Sequence, residues 1–386
     1  MTTTGASMTT TIDRAIHLHE QAVAAASRCC WQEAVNLATE ARDLFRNEDG
    51  PLSPDAANAS NLLSRIAVIR SEFAAAEMHA RTAWGIMEAL GHRCGGVDAD
   101  SIRVEALGNL GTALRSQGRY AEAEPWFKQA LAFARYAKLS LGPELNNLAV
   151  LYKYTGRFKE AERLYWDALE ETSGDDLSAA SVYHNLGGLH HASGDFAEAE
   201  PSARRACEIR ERLLGPDHPD TLADWCALAG VLDGLGRYAE SEPIYRRALN
   251  EYVAAFGPLH VEVAVNLNNL AGVRWALGDA VEAESLYLRA LSIKRALLGD
   301  SHPDTALTLH NYASMLEDLG RVDEARPMAS AALRAFEASL EELHPRTLAS
   351  RELRDSLSDA ASLPACAAAA AGRPDLSQSP VVPLRQ

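Results

Sequence analysis

The stretch NNLAVLYKYTGRFKEAERLYWDAL, residues 146–169, decides the fold. Its second half sets Ala161, Tyr165, Ala168 and Leu169 at offsets 0, 4, 7 and 8, which is one face of an α-helix. Small side chains at Ala161 and Ala168 let two helix axes approach closely enough for ridges to enter grooves. Between the halves, Thr155-Gly156-Arg157 reads as a turn, because glycine takes the left-handed conformation that ends a helix without a Cβ clash. The stretch is predicted to be a helical hairpin.

The same pattern returns along the chain, at GRYAEAEPWFKQAL (118–131), GDFAEAEPSARRAC (194–207), GRYAESEPIYRRAL (236–249), GDAVEAESLYLRAL (278–291) and GRVDEARPMASAAL (320–333). Two weaker copies lie at 29–41 and 71–83, and the third residues of all eight copies are spaced by 42, 47, 38, 38, 42, 42 and 42. Ala34, Ala76, Ala123, Ala161, Ala199, Ser241, Ala283 and Ala325 form one column of small residues. A second column follows seven residues later and a third, of Ala, Ser or Gly, precedes it by twelve. A hairpin with such faces cannot bury them alone, so neighbouring hairpins must stack into a solenoid.

Asn-Leu-Ala-x-x-Tyr-x-x-x-Gly-x-Phe-x-Glu-Ala, read from Asn147 to Ala161, resembles the tetratricopeptide repeat, and residues 146–169 resemble the 42-residue variant of kinesin light chains and their bacterial relatives. The resemblance covers residues 12 to 360; it departs from the family where Ala280 and Val322 replace the aromatic and where GHRCGGVDAD (91–100) reads as an inserted loop. It implies an all-α, right-handed superhelical solenoid of about eight helical hairpins plus a C-terminal capping helix. It further implies protein recognition on a concave surface lined by the first helix of each hairpin.

A second motif supports the longer repeat, with His218, His260, His302 and His344 spaced by 42 residues. Glycine before His218, His260 and His302 stops one helix, and proline after His218 and His302, followed by Asp220 or Asp304, starts the next. The units are placed near 12–46, 56–90, 101–137, 142–172, 177–214, 219–256, 261–298 and 303–340, with the cap at 344–360. Residues 1–11 and the proline- and alanine-rich tail 361–386 read as disordered.

Composition narrows the function. With 37 basic and 53 acidic residues the formal charge is −16, which repels phosphate backbones and anionic headgroups. Nucleic acid and membrane are therefore not expected partners. Six cysteines without CxxC spacing suggest neither a disulfide framework nor zinc, and the chain reads as a cytoplasmic protein in a reducing compartment. Phosphate-binding, hydrolase and zinc-protease motifs are absent, so no catalysis, metal or cofactor is expected.

The site candidates are asparagines. Asn109, Asn147, Asn185, Asn269 and Asn311 share one column of the first helices, broken at Ala227. A carboxamide bonds both N–H and C=O, so the column either holds an extended peptide main chain or serves stacking alone. Arg115, Lys153, Tyr154, His191, Trp275, Glu317 and Asp318 lie a turn away and would read side chains, running from basic to acidic along the chain. His184, His190 and His191 could suggest a metal, but His184 and His191 on one face lack a third ligand. The sequence thus predicts a non-catalytic adaptor that binds a peptide or protein segment. The alternative is a regulatory peptide-sensing module that changes curvature, and the oligomeric state is left open.

Overall fold

A computed structural model describes residues 11–91, 96–172 and 174–359, and among them it contains 17 helices and no strand. The chain divides into two compact units, Met1–Asn147 and Leu148–Gln386. The first holds α1 (Thr11–Ser27), α2 (Trp31–Glu48), α3 (Pro54–Ile69), α4 (Phe73–Leu90), α5 (Val97–Ser116), α6 (Tyr120–Ala137) and the start of α7 (Gly142–Tyr154). The second continues with α8 (Phe158–Glu170), α9 (Leu177–Ser193), α10 (Phe196–Leu214), α11 (Pro219–Gly234) and α12 (Tyr238–Phe256). It ends with α13 (Val261–Ala276), α14 (Ala280–Leu298), α15 (Pro303–Asp318), α16 (Val322–Ser339) and α17 (Pro345–Asp359). This is an all-α repeat solenoid.

α5 takes up the last residues of the stretch that reads as an inserted loop, and Thr11 already belongs to α1. Residues 92–95, with Cys94, and the two segments read as disordered, at 1–10 and 361–386, lie outside the described residues.

The small-residue columns are the helix crossings. Every member of the first column, from Ala34 to Ala325, is fully buried. Where glycine occupies the third column the approach is closer still: a Cβ on Gly187 would stand 3.1 Å from the backbone nitrogen of Ala203, across the α9–α10 crossing. Burial of these faces is what holds neighbouring hairpins together.

Turns inside the hairpins follow one recipe. At Gly156 φ is +78°, and the Arg157 N–H donates back to the Tyr152 carbonyl at 2.9 Å. In the first two hairpins Cys29 and Ser71 take the same left-handed position, at φ 58° and 62°. A side chain there costs about 1–2 kcal/mol, and the missing glycine weakens the sequence match of those copies although their turns are alike.

Starts of first helices follow another. Nδ1 of His218, His260, His302 and His344 accepts the N–H two residues on, at 3.2, 3.2, 3.0 and 3.1 Å. The histidine column is a set of helix caps, each filling a donor that the first turn leaves open.

Glutamates of the EAE runs, which read as ordinary surface charges, do more than that. Arg237 donates to Glu200 at 3.0 Å and Arg321 to Glu284 at 2.8 Å, each joining one hairpin to the next. Solvent exposure keeps each of these pairs weak. A stronger tie is buried inside the α11–α12 hairpin, where Asp233 accepts from the hydroxyls of Ser241 and, at 2.9 Å, Tyr245. Burial pushes the Asp233 carboxyl up to about 7, against the pull of those two donors.

Three outcomes are expected. Gly187→Val should destabilise by about 2–3 kcal/mol in urea unfolding, because the obstacle is backbone. Gly272→Ala should be neutral or stabilising, since its Cβ would lie 3.6 Å from the Tyr287 hydroxyl. For Asp233 the folded state holds the proton more tightly, so its contribution is full below pH 3.8 and is lost as pH rises through about 7. Stability of wild type relative to Asp233→Asn should therefore decline across that window in paired denaturant titrations, and a rising difference would contradict it.

Candidate functional site

In residues 148–359 the first helices α9, α11, α13, α15 and α17 lie in sequence, each against the next. Side chains bridge them at a constant offset. Nδ1 of His184 meets Asp224 at 2.6 Å, the Cys226 thiol donates to Asn266 at 3.1 Å, and Nδ1 of His310 meets the Ser350 hydroxyl at 3.0 Å. Every pair is 40 residues apart, two short of the repeat, so one rung recurs along the wall. The first rung is also ionic: Arg210 of α10 donates to Asp224 of α11 at 2.6 Å and to Ser181 of α9 at 2.7 Å. Burial, partly offset by Asp224, lowers the His184 pKa.

The asparagine column divides between the two units. In the first unit Asn109 is half-buried and donates to the Asn61 carbonyl at 3.4 Å, and Asn147, also half-buried, packs beside Gly108. Arg115 sits half-buried in the last turn of α5. In the second unit Asn185 and Asn269 are buried. A relay of amides runs inward there: Asn311 donates to Asn268 at 3.3 Å, Asn268 donates to Asn269 at 3.1 Å, and Asn269 shares a hydrogen bond with the Tyr245 hydroxyl. Since Tyr245 ends on Asp233, the relay links the wall surface to the buried carboxyl.

Three of the flanking candidates are also packed into the wall. Lys153 is buried, its Nζ 5.5 Å from the centre of the Tyr154 ring and beside Gly188. The buried His191 donates Nε2–H to the Gly230 carbonyl at 2.8 Å, with its ring edge-on to Phe196. Burial brings the His191 pKa down to about 4, so the ring stays neutral. Tyr154 is buried, and its carbonyl is taken by His344, four hairpins further on. With Nδ1 of His344 occupied as a cap acceptor, Nε2–H is the donor, and the ring lies so near Gly156 that a Cβ there would be 3.1 Å away. The start of α17 is thereby clasped to the α7–α8 turn.

The remaining three candidates converge. Trp275, Asn311 and Glu317 line one cavity of about 340 Å³ between α13, α15 and α17. Asp318 joins them, hydrogen-bonded to the Trp275 indole, and Ser356 of α17 donates to Glu317 at 2.6 Å. Glu352 and Leu353 complete the α17 side, which reads in sequence only as a cover for the last apolar face. Their signal was present: adding 42 to His310, Asn311 and Ser314 gives Glu352, Leu353 and Ser356. The capping helix therefore continues the wall's own columns.

Among the described residues no group of three or more His, Cys, Asp or Glu is placed to hold a metal, and no helix is long and apolar enough to cross a membrane. The arrangement can supply hydrogen bonds, negative charge and an aromatic face.

Comparison with known proteins agrees with this geometry. The family model for the tetratricopeptide repeat matches residues 103–170, 143–212, 178–252 and 262–338. No curated protein matches the chain in sequence. Among solved structures, the chain is similar to a Rap protein complexed with competence and sporulation factor, at 12% identity and a TM-score of 0.56, covering 91% of this chain and 99% of that one. It is also similar to the Rap conjugation gene regulator of plasmid pLS20 in complex with the Phr* peptide, at 14% identity and a TM-score of 0.59, covering 77% and 80%. BtubC (BKLC) from P. vanneervenii is 22% identical with a TM-score of 0.46, covering 58% and 91%.

The clasp has a pH signature. Burial holds His344 down to about 4, with Arg346 acting in the same direction, so the folded chain keeps the ring neutral. Stability from this group is present above pH 6.5 and is lost as pH falls toward 4. His344→Gln should cost stability at pH 7.5 and narrow its deficit as the pH falls to 4.5, measured by urea unfolding; a deficit that grows on acidification would refute the assignment.

Proposed function

The chain belongs to the tetratricopeptide repeat family, and from that premise we propose that the first-helix wall of residues 148–359 binds a peptide or protein segment without catalysis, as an adaptor. The observation that carries this reading is the cavity between α13, α15 and α17, where Trp275, Asn311 and Glu317 meet. An extended segment crossing the wall there finds the carboxamide of Asn311 and the hydroxyl of Ser314 for its main chain, and the cavity for one side chain. Asn185, Asn269, Lys153, Tyr154 and His191 act behind this surface by fixing how the helices sit, while Asn109, Asn147 and Arg115 belong to the first unit. No covalent step is involved. A net charge of −16 disfavours nucleic acid as the ligand, and the buried thiols of Cys207 and Cys226 suit a reducing, cytoplasmic setting.

A second reading, a peptide sensor that changes curvature, is favoured by one observation, the clasp between His344 and Tyr154. A ligand in the wall that strains this contact would shift the spacing of every helix between them. The Rap structures similar in fold are complexes, one with a peptide, which is in keeping with either reading.

The test is site-specific photocross-linking. Random displayed peptides selected on the full chain should cross-link to a photoreactive residue at Ser314 and not to one at Val281, which is exposed on α14. Enriched peptides that mark both positions equally, or only Val281, would overturn the wall as the binding surface. Small-angle scattering with and without a selected peptide separates the readings, since only the sensor changes the envelope.

A further inference from the structure

The cavity carries more than a shape. Glu317, Asp318 and Glu352 all face it, and among the described residues none of the three is within ion-pair distance of an arginine, lysine or histidine. Neighbouring arginines are committed elsewhere: Arg321 to Glu284 and Glu324, Arg326 to Asp323, Arg351 to Glu337. Arg346 is felt by His310 but does not line the cavity.

Placement sharpens the contrast. Glu317 and Asp318 occupy the last turn of α15, and the last turn of α13 presents Trp275 to the same space. Both helices therefore turn their negative dipole ends toward a cavity that already holds carboxylates. Cations are favoured in a last turn and anions opposed, so this arrangement costs stability in the free protein. A stability cost kept at a concave site points to a ligand that repays it. Walls of Trp275, Tyr238 and Leu353 surround the charge with apolar surface, and Asn311 and Ser314 add polar atoms between.

We infer that this cavity binds an arginine side chain of the bound peptide, its guanidinium stacked on Trp275 and held by Glu317, Asp318 and Glu352. Guanidinium fits each feature. It is planar and weakly hydrated, so it lies against an indole face, and its five donors can serve several carboxylate oxygens at once. A lysine ammonium would meet the charge but not the flat wall. The inference rests on the wall being a ligand surface and names what the cavity in that wall reads.

N-acetyl-arginine amide is the probe, and the readout is the Trp275 indole N–H signal by NMR in tryptophan-labelled protein, assigned with Trp275→Phe. A saturable shift is expected. N-acetyl-citrulline amide, of nearly the same shape without the charge, should bind at least about tenfold more weakly, and the combined Glu317→Gln, Asp318→Asn, Glu352→Gln variant should lose at least about tenfold for arginine. Circular dichroism checks the fold of that variant; if it fails, Glu352→Gln alone, exposed on α17, must still weaken arginine binding measurably. Equal shifts with citrulline, an unchanged affinity in the folded variant, or no saturable shift would each overturn the assignment. If arginine fails while selected peptides still cross-link at Ser314, the cation pocket is wrong and the wall reading survives. If arginine binds and no peptide marks Ser314, the pocket stands and the wall reading falls.

Discussion

Side chains no larger than a methyl or hydroxymethyl group at the helix crossings set everything else in this molecule. Packed helices lie about 8–10 Å apart according to the residues between them. Alanine, serine and glycine, buried at each crossing, hold that spacing at its short limit. Because the spacing recurs, first helices fall side by side in constant register, and a bond such as His184 to Asp224 can be made again, with other chemistry, 42 and 126 residues on in Cys226–Asn266 and His310–Ser350. Packing thus comes first, and polar order follows from it.

The polar groups then divide by depth. Several of those behind the wall have partners: Oδ1 of Asp224 meets His184 and Arg210, Lys294 donates to Thr308 and the Asp304 carbonyl, and Asp233 accepts from two hydroxyls, while Oδ2 of Asp224 has no protein partner. Buried charge kept this way gives order at little net gain in stability. At the α13–α15–α17 cavity the rule changes, with carboxylates left without a counter-charge at the wrong ends of helices. Local rules are usually broken where a protein does its work.

Much of this was legible from residues alone. The all-α repeat fold follows from columns of alanine and from glycine turns, since both reflect local geometry that a period exposes. Trp275 and Glu317 read as flanking residues of a groove whose column includes Asn311, and the three line one cavity. Other readings fell short for physical reasons. An asparagine column looks the same whether its amides meet a ligand or each other, and only three-dimensional placement shows Asn268, off the column, taking up the bond from Asn311. Lys153 and His191 stand near the same helix ends as exposed residues, yet close packing against α9 and α11 buries them. The histidine column was visible as a period, but its role as a cap depends on Nδ1 facing the N–H two residues on.

The clasp between His344 and Tyr154 makes the array able to count. Duplication of a 42-residue segment is invisible to stacking, because every crossing accepts its neighbour whatever the total. One extra hairpin would nevertheless carry His344 past the α7–α8 turn by a full helix-pair width, and one fewer would leave it short. Within residues 148–359 that one imidazole ties the α7–α8 turn and the start of α17 to a fixed number of hairpins between them.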